Sequence, residues 1–224
     1  MENGKHEQVI SQFDKIAELP DTWDHNQQYQ KYLLNNLSKC GSVLDVGCGT
    51  GGLTKILSKY ADKVIGIDVS PNMIATAEAR NTSSNIEYLV TDVESYLDEL
   101  SSKFDAIICI AALHHMNEES ALRKMKNHLN KNGKILILDL YKQNSAVDYL
   151  LSGIATAINP FKLLIKRGII QVTIEEREAW KDHFQFDEYK TIDALREIGR
   201  RVFGEIRIRR HLFWRYSMIY TKAN

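Results

Sequence analysis

Cysteine and proline are scarce in this 224-residue chain, which contains three of each. The cysteines, Cys40, Cys48 and Cys109, are odd in number and widely spaced. They form neither the even framework of a disulfide-rich domain nor the paired CxxC spacing of a zinc site. We therefore expect free thiols, no bound metal and a reducing, cytoplasmic location.

The chain also lacks an excess of charge and a long apolar run. Lysine plus arginine number 29, and aspartate plus glutamate also number 29, so the formal net charge is zero. Proteins that coat nucleic acids or bind anionic membranes usually carry a basic excess, so neither partner is expected. No segment of about 18 apolar residues is present and the N-terminal segment is polar, so we expect no membrane span and no signal peptide.

Short apolar runs alternate with amphipathic segments from residue 42 to residue 140. This alternation is typical of a parallel sheet with crossover helices on both faces. The hydrophobic share of 44% and the charged share of 26% are those of a folded globular domain. The predicted strands are 42–46, 64–67, 86–90, 104–110 and 134–140, and the predicted helices include 6–18, 24–38, 93–100, 118–129 (with Asn132-Gly133 as its stop) and 191–202.

The C-terminal segment 205–221 has a different pattern. Ile206 and Ile208 alternate with arginines, and aromatic residues alternate with other side chains from Trp214 to Tyr220. A period of two predicts strands, and two adjacent strands of this kind are predicted to pair in antiparallel fashion.

A glycine-rich loop, Asp45-Val46-Gly47-Cys48-Gly49-Thr50-Gly51-Gly52, joins the first predicted strand to a helix. Glycines at such a turn permit positive φ and close approach of the backbone to a ligand. Gly47, Gly49 and Gly52 satisfy G-x-G-x-x-G, so a dinucleotide site is one interpretation. Asp45 argues against it, because a carboxylate beside a pyrophosphate is unfavourable, whereas it suits a ligand with an ammonium or sulfonium group.

Two further acids follow predicted strands. Asp68, after the second strand, can accept hydrogen bonds from both ribose hydroxyls of an adenosine cofactor, or serve as a helix cap or surface acid. Asp92, after the third strand, can accept from an adenine amino group, or serve as an exposed cap for the helix that follows.

Together these segments resemble the class I S-adenosylmethionine-dependent methyltransferases, in particular small-molecule members of the type 11/12 kind. The resemblance rests on LDVGCGTGG, IGIDVSPNMIATA, TDVE, FDAIICIAALHHM and LNKNGKILILD, which stand in the family's order and spacing over residues 43–140. It implies a Rossmann-like, doubly wound α/β fold. The implied sheet has seven strands and is mostly parallel with an antiparallel last strand, and helices cover both faces.

The resemblance implies S-adenosyl-L-methionine as the cofactor and S-adenosyl-L-homocysteine as the product. The loop backbone would approach the methionine part of the cofactor, and Asp68 would hold the ribose hydroxyls. The implied cofactor-binding residues are Asp45, Gly47, Cys48, Gly49 and Gly51 in the loop, Asp68, Val69 and Met73 at the ribose and the adenine face, Asp92 and Val93 at the adenine edge, and Ile110 and Ala111 as carbonyl candidates for the ammonium.

His114-His115 follows the fourth predicted strand, at a position that faces the transferring methyl group in the family fold. The sulfonium already activates that methyl group, so the enzyme mainly has to align the reactants. Imidazole titrates near neutral pH, so either ring is a candidate general base. The alternative is that the pair lines the substrate or the cofactor.

The family pattern divides the single domain 1–224 into four parts. These are a helical cap (1–40), a cofactor-binding half (41–140), an inserted substrate cover (141–188) and a last helix with the strand pair (189–224). Apolar patches in the cover indicate a hydrophobic pocket, a dimer surface or a membrane-contacting helix. The candidate substrate and lid residues are Trp23, His25 and Tyr29 in the cap and Trp180 in the cover.

The predicted function is methyl transfer to a small-molecule acceptor by in-line displacement, carried out by a monomer or a homodimer. One alternative is a non-catalytic S-adenosylmethionine-binding protein. Another is an RNA methyltransferase, since C-terminal arginines lie near Phe213 and Trp214. The (N/D)PPY-like motif of many base-methylating relatives is replaced here by Ala111-Ala112-Leu113-His114. The motifs do not distinguish O-, N-, S- and C-methylation.

Overall fold

Seven strands form one sheet in the computed structural model, which describes residues 2–17, 25–168, 174 and 187–223. The sheet order is β3-β2-β1-β4-β5-β7-β6. The strands are β1 (Cys40–Val46), β2 (Ala61–Asp68), β3 (Ile86–Val90), β4 (Phe104–Ile110), β5 (Leu129–Leu140), β6 (Arg207–Arg210) and β7 (Arg215–Thr221). The helices are α1 (Glu2–Ile16), α2 (Gln27–Leu34), α3 (Gly52–Leu57), α4 (Pro71–Arg80), α5 (Val93–Glu99), α6 (Glu118–Asn127), α7 (Ala146–Arg167) and α8 (Ile192–Phe203).

Strands β1 to β5 are parallel, and β7 pairs with β5 in antiparallel fashion. Strand β6 pairs with β7, also antiparallel. This arrangement confirms the doubly wound fold class and the reversed last strand. The strand order changes direction between β1 and β4, and ligands of open α/β sheets bind in the crevice at the carboxyl ends of such a pair.

The two faces of the sheet bury separate apolar clusters. In β1, Leu44 belongs to one cluster and its neighbour Val43 to the other. Leu122 of α6 and Leu195 of α8 pack in the first cluster, and Leu33 of α2 packs in the second. Because adjacent strand residues point to opposite faces, the continuous apolar strands are covered on both sides, as the sequence predicted.

The boundary between α6 and β5 was predicted wrongly. The helix ends at Asn127 and the strand begins at Leu129, before the Asn132-Gly133 pair that was expected to stop the helix. Asn132 has a positive φ of 60°, and the register between β4 and β5 shifts at this point. A side chain at Gly133 would crowd the backbone carbonyl of Asn130. The turn signal therefore marks an irregularity inside a strand instead of a helix end.

Helix α7 is the main element after the cofactor half. It begins at a capping box in which Ser145 accepts from the Asp148 N–H and Asp148 accepts from the Ser145 N–H. It ends before Gly168, whose φ of 69° is left-handed. Several apolar side chains on this helix are exposed, namely Val147, Tyr149, Leu150, Ile154, Phe161, Leu164 and Ile165. None of the helices that the structure describes combines the length and the apolar character needed to cross a membrane.

We expect Asp148→Ala to lower the free energy of unfolding by about 3 kcal/mol, because it leaves a partly buried arginine unpaired and removes the cap of α7. Asp148 is fully buried, and its carboxylate accepts from Arg210 Nε of β6 at 2.9 Å. Urea unfolding would measure the loss. The control is Asp193→Ala, which removes an exposed carboxylate that pairs with Arg196 and should cost little. Equal losses in the two variants would contradict this role of Asp148.

Candidate functional site

The glycine loop lies at the carboxyl end of β1, beside the point where the strand order reverses. Gly47, Gly49 and Gly51 all have positive φ, at 68°, 53° and 78°. The N–H groups of Gly47 and Cys48 donate to the Ile67 carbonyl of β2 at 2.9 and 3.0 Å. The sequence therefore forms a tight, fixed loop that L-residues with side chains would adopt only at a cost.

At two of these glycines the surrounding atoms leave no room for a Cβ, so we call the loop closed there, and at the third there is room, so we call it open. A Cβ at Gly47 would overlap the Cβ of Ala112, and one at Gly51 would overlap the hydroxyl of Tyr88. A Cβ at Gly49 would meet nothing nearer than Met73 Sδ at 4.0 Å. We call the open space above Gly49 the cradle, and a ligand that approaches the loop backbone, as the resemblance implies for the cofactor, would fit there.

Asp68 ties this loop to the end of β2. Its carboxylate accepts from the N–H of Gly49 and from the N–H of Ser70, each at 2.9 Å. Burial raises the pKa of Asp68, in opposition to these two hydrogen bonds, which lower it. Each oxygen keeps a lone pair beyond these bonds, so the carboxylate can also accept from a ligand hydroxyl. Val69 and Met73 follow it in the chain, and Met73 is buried.

Asp45 lies beneath the loop. It is 1% exposed and accepts from Thr54 Oγ1 at 2.6 Å. Burial raises the pKa of Asp45 to about 7. A nearby cation would favour its ionised form, so the charge of this carboxyl group is sensitive to what binds above the loop. Cys48, also buried, has a thiol pKa raised by burial, which agrees with a packing role.

Asp92 has the capping role that the sequence left open. Its Oδ1 accepts from the N–H groups of Glu94 and Ser95 at 2.9 Å, and its Oδ2 accepts from Ser95 Oγ at 2.7 Å. These bonds fix the start of α5, where Val93 is buried. The adenine contact assigned to Asp92 and Val93 stays a prediction.

The turn after β4 is strained. Ala111 has a φ of 53°, which costs a non-glycine residue about 1–2 kcal/mol. Its N–H donates to the Leu138 carbonyl at 2.8 Å, and the next residue, Ala112, packs against Gly47. The left-handed conformation thus lies next to the contact between Ala112 and the glycine loop. The carbonyl contact assigned to Ile110 or Ala111 stays a prediction.

The short 3-10 helix Leu113–His115 follows this turn and carries the histidine pair. His114 Nδ1 lies 2.7 Å from Asp139 Oδ1, and the His114 N–H donates to Asp139 Oδ2 at 2.9 Å. Burial alone would lower the pKa of His114, but Asp139 and Asp187 raise it to about 10. The two carboxylates therefore favour a positive charge at His114. The role of either histidine as a general base stays a prediction.

Several polar residues of the site were not singled out from the sequence. Asp139 is an acid within an apolar strand, which is a usable signal because a buried carboxylate needs a partner. Asp187 and Tyr189 lie in a stretch with no periodicity, and Tyr189 donates to Asp187 Oδ2 at 2.5 Å. Asp14 of α1 accepts from Ser70 Oγ at 2.5 Å, a contact between distant parts of the chain that no local pattern announces.

Four residues were predicted to form a lid, and the structure describes two of them. Trp23 and Trp180 lie outside the described residues. His25 stacks on Phe213 with ring centroids 4.1 Å apart, and Tyr29 donates to the Leu212 carbonyl at 3.2 Å. These two residues therefore contact the turn between β6 and β7. Helix α1 reaches the histidine pair instead, through an edge contact of Phe13 with His115 at 5.3 Å.

We expect the stability that His211 confers to depend on pH. Burial lowers the pKa of His211 to about 4, so the folded ring stays neutral while the unfolded one protonates near pH 6.5. The advantage of the wild type over His211→Gln in free energy of unfolding should therefore shrink as the pH falls from 6.5 to 4. Urea unfolding across this range would measure it.

The matched control for this experiment is Ser217→Ala. Ser217 Oγ lies 2.8 Å from His211 Nε2, so the variant removes the same hydrogen bond and keeps the imidazole. It should show the pH dependence of the wild type. A difference between wild type and His211→Gln that stays constant with pH would contradict the buried neutral ring.

Comparison with known proteins gives one consistent picture. Residues 43–133 match a family model described as a methyltransferase domain. The chain is 29% identical over 151 residues to the ubiquinone biosynthesis O-methyltransferase of Xanthomonas axonopodis pv. citri (strain 306). That alignment covers 61% of this chain and 63% of the relative, so the chain spans less than two thirds of the relative's length.

Solved structures extend the likeness to almost the whole chain. The N-methyltransferase NodS from Bradyrhizobium japonicum WM9, in complex with S-adenosyl-L-homocysteine, has a TM-score of 0.64 at 14% identity and covers 96% of this chain and 99% of its own. A methyltransferase in complex with the Haloferax volcanii Trm112 activator has the same score and identity, covering 96% and 98%. At these identities the likeness shows the fold.

Proposed function

We propose that this chain is a class I S-adenosylmethionine-dependent methyltransferase and that it methylates an oxygen of a small, partly apolar acceptor. The observation that carries the proposal is the glycine loop at the β1–β4 crevice, closed at Gly47 and Gly51 and open at Gly49. Asp68 holds the open part of the loop through the Gly49 N–H. This arrangement is suited to a cationic adenosine-containing ligand.

Each part of the cofactor has residues that would hold it. The backbone at Gly47, Cys48 and Gly49 would take the methionine part, and Asp68 would take the ribose hydroxyls. When bound, the cofactor supplies a methyl group already activated by the sulfonium. The remaining residues proposed for cofactor binding are Asp45 and Gly51 in the loop, Val69, Met73, Asp92 and Val93 around the adenine, and Ile110 and Ala111 near the ammonium.

The acids around the loop match the charge of this ligand. Asp45 is the second-last residue of β1, Asp68 ends β2, and Asp92 follows β3, so all three acids lie at the carboxyl ends of neighbouring parallel strands. A positive ligand in a crevice lined with acids is favoured electrostatically. The chain's own residues therefore supply binding, orientation and exclusion of water, which are the main requirements of methyl transfer.

The acceptor class is supported by the Xanthomonas axonopodis relative, which is named a ubiquinone biosynthesis O-methyltransferase. The exposed apolar side chains of α7 would supply an apolar surface if they face such an acceptor. We propose that 1–40 caps and 141–188 covers the site, with His114 and His115 lining the acceptor side. His25, Tyr29, Trp23 and Trp180 stay candidates for the lid.

We also propose a cytoplasmic enzyme, acting as a monomer or a homodimer. Cys40, Cys48 and Cys109 are all free thiols, as expected in a reducing compartment. Thiols of this kind persist where glutathione and thioredoxin keep them reduced.

Formation of S-adenosylhomocysteine with a panel of phenols and catechols that carry apolar substituents would test the proposal. The expected result is turnover that depends on the acceptor and is lost in Gly49→Ala. Binding of the cofactor without turnover on any small acceptor would favour a non-catalytic binding protein and contradict the proposal. Turnover on RNA alone would contradict it as well.

A further inference from the structure

Three metal-binding side chains meet beside the turn after β4. His114 and His115 belong to the short 3-10 helix, and Asp187 comes from the stretch before α8. One nitrogen from each histidine and one carboxylate oxygen lie within 4.8 Å of one another. The His114 side chain is 5% exposed and the Asp187 side chain 3%, so the group lies under the surface.

The three side chains are spaced widely enough to hold an ion between them. His114 Nε2 lies 3.7 Å from Asp187 Oδ2, and His115 Nδ1 lies 3.5 Å from Asp187 Oδ1. Both distances exceed the hydrogen-bond range. Two ligands that bind one ion at about 2.1 Å are about 3.4 Å apart in a tetrahedral site and about 3.0 Å apart in an octahedral site. The two separations are near the tetrahedral value and involve different oxygens of Asp187, so they suit an ion that both oxygens of this carboxylate can approach.

Asp139 fixes the orientation of the His114 ring. Asp139 is buried, and it holds the Nδ1 side of the ring at 2.7 Å. The Nε2 atom of His114 is buried and makes no hydrogen bond within the part of the chain that the structure describes. A carboxylate on one imidazole nitrogen with the other directed at an ion is the usual second shell of a metal-binding histidine. Tyr189 orients Asp187 in the same way, from its hydroxyl group.

From this geometry we propose that His114, His115 and Asp187 bind one divalent transition-metal ion of the zinc class. Two imidazoles and one carboxylate suit Zn²⁺ and Co²⁺ and are poor ligands for Mg²⁺ or Ca²⁺, which prefer all-oxygen sites. The expectation of no bound metal came from the number and spacing of the cysteines, and Asp187 lies more than seventy residues after the histidines. The fold, and not a spacing motif, assembles the site.

Three protein ligands leave the fourth tetrahedral position open, as in catalytic zinc sites. Ala112 joins this cluster to the glycine loop, because its Cβ packs against Gly47. The open position would therefore bind an acceptor oxygen next to the cofactor. This second part rests on the proposed function, whereas metal binding itself does not.

Titration of the full, tag-free chain with Co²⁺ tests the site directly. We expect one equivalent to bind with the intense visible absorption of tetrahedral cobalt, and Zn²⁺ to abolish that absorption by displacement. Asp187→Asn and His115→Ala should each weaken Co²⁺ binding by more than about tenfold, and Asp139→Asn should weaken it by about 10- to 100-fold through the orientation of His114.

The controls separate this site from the cofactor site. Asp62→Ala removes an exposed acid and should bind Co²⁺ as the wild type does, and Asp68→Ala should lose the cofactor and keep Co²⁺. Far-UV circular dichroism would show whether each variant is folded. If Asp187→Asn does not fold, Asp139→Asn provides the test of the site in its place. No tetrahedral Co²⁺ spectrum, or wild-type affinity in folded Asp187→Asn or Asp139→Asn, would overturn the proposal. Failure of methyl transfer with intact Co²⁺ binding would overturn only the proposed function and the role of the open position.

Discussion

Replacing Asp68 with alanine is expected to weaken S-adenosylmethionine binding by about 100-fold or more. The carboxylate makes two hydrogen bonds, to the N–H groups of Gly49 and Ser70, and it is the proposed acceptor for the ribose hydroxyls. Hydrogen bonds to a charged group contribute about 1.5–3 kcal/mol each, and 100-fold corresponds to about 2.7 kcal/mol. Isothermal titration calorimetry of wild type and variant would measure the ratio.

Asp62→Ala is the matched control, because Asp62 lies on the same strand but is exposed. Its affinity for the cofactor should equal that of the wild type. The melting temperature of Asp68→Ala should fall, because the N–H groups of Gly49 and Ser70 lose their acceptor, so the affinities are compared well below that temperature. Wild-type affinity in Asp68→Ala would refute the assigned ribose contact.

A second large effect is expected from two alanine substitutions in the glycine loop that act in different ways. Gly47→Ala should lower the free energy of unfolding by about 3 kcal/mol, because it combines a positive φ with overlap against Ala112. Gly49→Ala should cost only about 1 kcal/mol, since φ is positive but the space is open. Its Cβ would fill the cradle, so cofactor binding should be lost in a folded protein.

Gly52→Ala completes the comparison. Gly52 begins α3 without a positive φ, and an added Cβ meets nothing within 4 Å. This variant should keep both stability and cofactor affinity, since alanine is the better helix former. Urea unfolding and calorimetry on the three variants would separate strain from lost binding. Wild-type cofactor affinity in Gly49→Ala would show that the ligand does not approach the loop there.

The cofactor half could be predicted because its signals are local. Alternating apolar runs, the glycine loop and the acids after each strand lie within a few residues of the elements they mark. The same locality explains the error at Asn132-Gly133, where a turn signature lies inside β5 because the chain bends there without ending a strand. A short-range pattern does not distinguish the two outcomes.

The acceptor side was less predictable because its contacts join distant parts of the chain. His114 was identified from its place after β4, but its partners Asp139 and Asp187 follow 25 and 73 residues later. The contact of Phe13 with His115 likewise depends on where α1 lies, next to α4. Such pairings depend on sheet order and helix placement, which no spacing in the sequence encodes.

Calorimetric titration of the wild-type chain with S-adenosylmethionine and with S-adenosylhomocysteine tests the central claim most directly. The claim is that the loop around Gly49, held by Asp68, is a binding site for this cofactor. We predict that both ligands bind with one equivalent per chain and micromolar affinity, and that Gly49→Ala and Asp68→Ala lose the signal. Absence of binding by the folded wild type at millimolar ligand would contradict the claim.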